Sequence, residues 1–126
     1  LIGSGPGCAA NQVYLSLAQR GPEFSLLPCL RERGMPLMAY SPIDQGRAAS
    51  DPVLRRIAAA RGLTATQVAL AAVIAQPGVV AIPKATGEAH LRENLAAADV
   101  VLGDDERRAI DQRFPPPERA APLAMN

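Results

Sequence analysis

Residues 79–94 read VVAIPKATGEAHLREN. Four apolar residues run into Pro83 and Lys84, and a short polar turn leads to a helix start carrying His90, Arg92, Glu93 and Asn94. A lysine is a compact cation with three donors, a histidine gains and loses charge near neutral pH, and an asparagine both donates and accepts. Such a set suits an anion joined to a polar body. A strand leaving the core, followed by a helix with a solvated face, would use the same residues. Gln12, Tyr40 and Ser41 extend the first possibility, because each stands at or near the end of another apolar run.

These side chains can meet only if the segments carrying them lie side by side. Asn11, Gln12 and their neighbours (Ala9 to Leu17) read as a strand and its outgoing loop. Pro22 and Glu23 open a helix through Arg33, stopped by Gly34. Met35 to Tyr40 gives a second strand, ended by the Ser-Pro turn, and IDQGRAAS is a loop. Asp51 caps a helix from Pro52 to Arg61 with Gly62 as its stop, and Leu54, Ile57 and Ala58 fall on one face.

Thr64 to Gln67 matches a capping box, and the helix it starts, Ala65 to Gln76, is apolar nearly all round and belongs between other elements. Pro77 and Gly78 end it before a third strand, Val79 to Pro83. A helix from about Glu88 to Asp99 carries Leu91, Leu95 and Ala98 on one face. Asp104 or Asp105 caps a last helix to about Phe114, and residues 115–126, PPPERAAPLAMN, form a Pro-rich tail.

Three strands separated by helices imply parallel pairing with right-handed crossovers. The continuous runs MPLMA and VVAI suggest strands buried on both faces. In such α/β sheets functional groups gather at the carboxyl ends of the strands, where Gln12, Tyr40, Ser41 and Lys84 all fall.

Composition narrows the classes. A chain of 126 residues, 48% hydrophobic, supports one domain with a core and no more. A net charge of +1 argues against nucleic-acid or membrane-surface partners, which need concentrated positive charge. No apolar run approaches the roughly 18 residues of a membrane span. Two cysteines, Cys8 and Cys29, are no disulfide framework, so a reduced cytoplasmic setting is expected. One histidine and no CxxC leave little for a metal site. Gly3, Gly5 and Gly7 suggest a dinucleotide loop, but the third glycine of that pattern would fall at Cys8 and no strand precedes Gly3. A loop entering the first strand is the expectation there. The start at Leu1, with no signal peptide, suggests missing upstream chain.

The segments NQVYLSLAQRGPE, MPLMAYSPIDQG, LTATQVALAAVIAQPGVVAIPKA, HLRENLAAADVVL and FPPP resemble, in order and spacing, the C-terminal part of an aldo-keto reductase of the bacterial NADPH-linked kind. The resemblance implies the last three strands and following helices of an eight-stranded (β/α)8 TIM barrel, an oxidoreductase domain spanning residues 1–126 in part. Such enzymes reduce aldehydes or ketones to alcohols by hydride transfer from NADPH, without metal or flavin. By the same resemblance Gln12 bonds the nicotinamide carboxamide and Tyr40 stacks on the nicotinamide. Ser41, Ile43 and Gln45 cover the pyrophosphate. Lys84 meets the 2′-phosphate together with Ala85 and Thr86, His90 stands where many relatives carry a phosphate-binding arginine, and Glu93 and Asn94 contact the adenosine.

Three departures qualify that picture. The family's catalytic Asp, Tyr, Lys and His belong to the first half of the barrel, so no catalytic residue is assigned here and a missing N-terminal barrel segment is the expected partner, beside a small carbonyl substrate. Relatives usually place a tyrosine where Leu15 stands, whereas here it is Tyr14, and a shift of one position along a strand moves a side chain to the opposite face. Ala72 replaces a frequent tryptophan, and losing such a ring without compensation costs about 3–5 kcal/mol. Two other readings stay open: a catalytically inactive, truncated nucleotide-binding or interaction module of the same fold, and an unrelated doubly wound domain. Three strands of eight cannot close a barrel, so the isolated chain is expected to be marginal or aggregating.

Overall fold

In a computed structural model, residues 7–125 are described, so Gly3 and Gly5 of the rejected glycine loop lie outside the described residues. Three short strands, β1 (Asn11–Tyr14), β2 (Leu37–Tyr40) and β3 (Val79–Ile82), form one sheet in the order β1-β2-β3. Both pairings are parallel, with Asn11 opposite Leu37 and Leu37 opposite Val79. Each crossover carries helix, as parallel neighbours require.

The first crossover differs from expectation. Instead of one helix through Arg33, a 3-10 turn at Gly21–Glu23 is followed by a separate α1 (Leu26–Glu32). Pro28 explains the break: it has no N–H to offer the Phe24 carbonyl, and its ring crowds that carbonyl in a continuous helix. Gly34 then supplies the left-handed stop at φ 63°.

The second crossover matches the sequence signals closely. Asp51 caps α2 (Pro52–Arg61), its carboxylate accepting from the backbone of Val53 and Leu54 at 2.9 and 3.2 Å, and Gly62 ends the helix at φ 65°. Thr64 and Gln67 form the capping box of α3 (Ala65–Ile74). Val68, Ala69, Leu70, Ala71 and Val73 are all buried, which accounts for a helix apolar on every side. Ala72 is half-buried against the same core and lines a shallow cavity of about 240 Å³ beside Leu102 and Ile110. The segment expected as a plain loop after β2 holds 3-10 turns over Asp44–Ser50, interrupted where Gln45 and Gly46 take φ of 56° and 91°.

The last two helices bring the main corrections. Helix α4 (Glu88–Ala96) continues as a 3-10 turn over Ala97–Asp99, and none of its own side chains is buried. Leu91 and Leu95, on the face that the sequence makes apolar, are 52% and 65% exposed, and Ala98 is exposed as well. The inward edge carries Glu93, Asn94 and the buried Ala97 instead. Its cause is polar: Glu93 accepts from the Thr64 hydroxyl, and Gln67 Nε2 donates to the Glu93 carbonyl at 3.2 Å, so the start of α3 grips α4. In α5 (Asp104–Arg113) the cap is Gly103 rather than either aspartate, with the Glu106 carboxylate accepting from its N–H at 2.8 Å. Residues 115–125 hold no helix or strand.

Most burial falls on one face of the sheet, although Tyr14 on the other face is only 5% exposed. Leu37 and Ala39 are fully shielded, with Leu15, Leu30, Leu54, Val68 and Val73 packed in the same core. On the other face Val80 and Ile82 are 50% and 38% exposed, which corrects the expectation of burial on both sides. Among the described residues, helices shield only the first face. No single helix among them is long and apolar enough to cross a membrane.

Candidate functional site

Two strand ends and one helix edge enclose a broad concavity. After Ile82 the chain meets Pro83, which cannot donate to a ladder, so β3 stops and Lys84, Ala85 and Thr86 run outward toward α4. After Tyr40 the chain reverses: Ser41 takes φ 48°, Pro42 is buried, and the loop passes over the sheet's carboxyl end. Between these segments opens a cleft of about 860 Å³. Ser41, Ile43 and Gln45 line one wall, Lys84, Ala85 and Thr86 the floor, and His90, Glu93 and Asn94 the opposite wall. All nine of these were singled out from the sequence.

Gln12 and Tyr40 are not among the lining residues. Gln12 is exposed on the open sheet face, in register with Met38, and Tyr40 stands two pairs further along in register with Tyr14. The Tyr40 ring stacks on that of Tyr14, centroids 5.5 Å apart and planes 22° from parallel. Tyr14 is buried, and its hydroxyl donates to Asp44 Oδ1 at 2.8 Å. Burial raises the Tyr14 pKa above its ordinary value, with the hydrogen bond to Asp44 and its charge adding, while Arg47 opposes.

Several lining residues escaped the sequence reading: Pro42, Gly46, Ala49, Thr66 and Ile82. Thr66 had a usable signal, because the capping box fixes it in the first turn of α3. What the box does not encode is that α4 lies across that turn. The Tyr14–Asp44 bond left no such signal, since 30 residues separate the partners.

The charges and polar groups have distinct places. Lys84 supplies cationic potential, and His90 and the Thr86 hydroxyl lie with it. Glu93 is partly spoken for: Oε1 accepts from Thr64, and Oε2 stands 3.7 Å from His90 Nδ1, an ion pair only when that histidine is protonated. Ile43 and Ile82 add apolar surface, and Asn94 offers an amide. A phosphate ester joined to a flat heteroaromatic body would match such a lining: a cation and a hydroxyl for the phosphate, apolar walls for the ring, and an amide for its polar edge.

Comparison with known proteins gives this geometry a context. The family model described as the aldo/keto reductase family matches residues 3–113. A methylglyoxal reductase of Escherichia coli is 42% identical over 126 residues, an alignment covering 96% of this chain and 44% of that protein. An aldo/keto reductase of Synechocystis is 37% identical over 114 residues, covering 81% of this chain and 34% of its own length. The solved aldo-keto reductase of Klebsiella pneumoniae in complex with NADPH superposes with a TM-score of 0.91 at 44% identity, over 94% of this chain and 44% of that one. The chain thus spans less than half the length of these relatives.

Proposed function

The chain belongs to the aldo/keto reductase family, and on that premise we propose that it is the carboxyl-terminal, cofactor-holding part of a cytosolic (β/α)8-barrel oxidoreductase. Residues 1–126 are part of one barrel domain and 115–126 its tail. The observation that carries the reading is the convergence of Ser41, Ile43, Gln45, Lys84, Ala85, Thr86, His90, Glu93 and Asn94 on one cleft at the carboxyl ends of parallel strands. The likeness to a reductase solved with NADPH supports the same cofactor.

In this reading Lys84, Thr86 and His90 hold the 2′-phosphate, with the Ala85 backbone beside it. Glu93 and Asn94 flank the adenosine, and Ser41, Ile43 and Gln45 cover the pyrophosphate. Tyr40, braced from behind by Tyr14, offers its ring to the nicotinamide, and Gln12 meets the carboxamide. When bound, NADPH supplies the hydride that reduces an aldehyde or ketone to an alcohol. A general acid must lie within hydrogen-bond reach of the carbonyl oxygen. We assign none in this chain: the proton comes from the complementary part of the barrel. Methylglyoxal, named for the Escherichia coli relative, is the first carbonyl to assay.

The test separates NADPH from NADH. The chain is completed with the amino-terminal segment of the Escherichia coli relative, and cofactor binding is followed by nicotinamide fluorescence. Replacing Lys84→Ala removes a charge-assisted contact to phosphate and should weaken NADPH about 10- to 100-fold while leaving NADH within about two-fold. Equal losses for both cofactors would refute a role for Lys84 at the extra phosphate. Tight NADPH binding without oxidation by any carbonyl would favour the inactive nucleotide-binding module, a reading that the two unpaired sheet edges of this chain keep open.

A further inference from the structure

Behind the cleft lies a second polar cluster, whose members are not themselves among the proposed cofactor contacts although Tyr14 stacks on Tyr40. The Asp44 carboxylate is 6% exposed. Its Oδ1 accepts from the Tyr14 hydroxyl at 2.8 Å and from the Ser16 hydroxyl at 2.6 Å. Ser16 is itself fixed, its Oγ accepting from the Gln19 N–H at 3.1 Å. Arg47 closes the other side, its Nε donating to the Asp44 carbonyl at 3.2 Å. A carboxylate is buried at such a place only when donors satisfy it. These bonds join the loop after β2 to the exit of β1, across 28 and 30 residues of sequence.

The loop needs such a hold. Ser41, Asp44 and Gln45 sit at φ 48°, 51° and 56°. Left-handed backbone at non-glycine residues persists where the surroundings over-determine it. The same loop lends Ser41, Ile43 and Gln45 to the cleft wall. Tyr14 adds a second link, since its ring lies against Tyr40.

We propose that Tyr14, Ser16 and Asp44 form a latch that holds the loop after β2 in its strained shape and thereby sets the wall of the cleft. They are positioning residues, and their effect on affinity rests on the reading of the cleft as the NADPH site. One residue of register decides whether the latch exists: a tyrosine at position 15 would point into the core, where Leu15 is fully buried.

The test uses the full chain completed by the Escherichia coli segment, in wild-type form and as Tyr14→Phe, Asp44→Asn and Asp44→Ala. Hydrogen exchange of amides 44–47 is read against those of α2 in the same molecule, and NADPH affinity is measured alongside. Tyr14→Phe keeps the ring and removes the donor, so exchange in the loop should rise about ten-fold with α2 unchanged, and NADPH should bind about three- to ten-fold more weakly. Asp44→Ala should do more, whereas Asp44→Asn, whose amide oxygen still accepts both hydroxyls, should remain within about three-fold of wild type. The latch is overturned by unchanged loop exchange in Tyr14→Phe, or by a wild-type loop already exchanging at the rate of free coil. Faster exchange with undiminished NADPH affinity would overturn its hold on the cleft. A wild-type protein that binds no NADPH would remove the cofactor reading alone, because exchange still decides the latch.

Discussion

Among single residues, His90 has the most conditional place. It lies in the cleft with Lys84, and 72% of its side chain is exposed, so solvent and ligand both reach it. An imidazole N–H can donate to a phosphate oxygen. His90→Ala should therefore weaken NADPH about three- to ten-fold at neutral pH while leaving NADH within about two-fold. A binding titration with both cofactors checks this, and equal losses for the two would remove His90 from the phosphate site. Residues of this kind were legible in the sequence because strand ends and helix starts are locally encoded. Asp44 was not, for its meaning comes from Tyr14 and Ser16, which only the folded chain brings to it.

At the scale of elements, legibility follows the range of the determining contacts. The bounds of α2 came out in full because Asp51, Pro52 and Gly62 all act within a turn of the helix ends. The inward edge of α4 could not, since it is chosen by Thr64 and Gln67 on another helix. The docking of α5 also draws on distant side chains, Asp51 pairing with Arg113, Arg61 with Glu106, and Arg20 with Asp111. Arg20 donates to both Glu23 oxygens at 2.9 and 2.8 Å, to Asp111 at 2.6 Å and to the Phe114 carbonyl at 2.6 Å. Burial alone would lower its pKa, but the bonds to Glu23 and Asp111 outweigh that and leave it raised. Arg20→Ala would leave a Glu23 side chain only 12% exposed with Gln76 Nε2, at 3.0 Å, as its remaining donor, while the Asp111 pair, half in solvent, contributes little. A loss of about 1–3 kcal/mol is expected, read as a lower urea midpoint for the completed barrel. Asp111→Ala should cost less than about 1 kcal/mol. The reverse order would mean that α5, not the loop after β1, is the main partner of this arginine.

For the whole molecule, the described sheet has two open sides. β1 and β3 each pair with β2 alone, so their outer edges present free backbone donors and acceptors. Next to the β3 edge, Val80, Ile82, Leu91 and Leu95 expose their side chains, and no described element covers them. The shape of the fold was legible as far as three strands, parallel pairing and helical crossovers, but a two-sided sheet requires contacts that the described residues do not supply. Unpaired edges beside apolar surface favour association with another chain. The isolated chain at micromolar concentration should therefore elute as a broad, concentration-dependent mixture larger than a monomer. Adding the complementary barrel segment in trans should convert it to one sharp species with a cooperative thermal transition. Charged replacements that interrupt the apolar surface, Leu91→Lys with Leu95→Glu, should reduce self-association of the chain alone yet weaken its capture by the complementary segment. Light scattering after gel filtration reads both effects, and a sharp monomer that melts cooperatively on its own would show that three strands and their helices are already a finished domain.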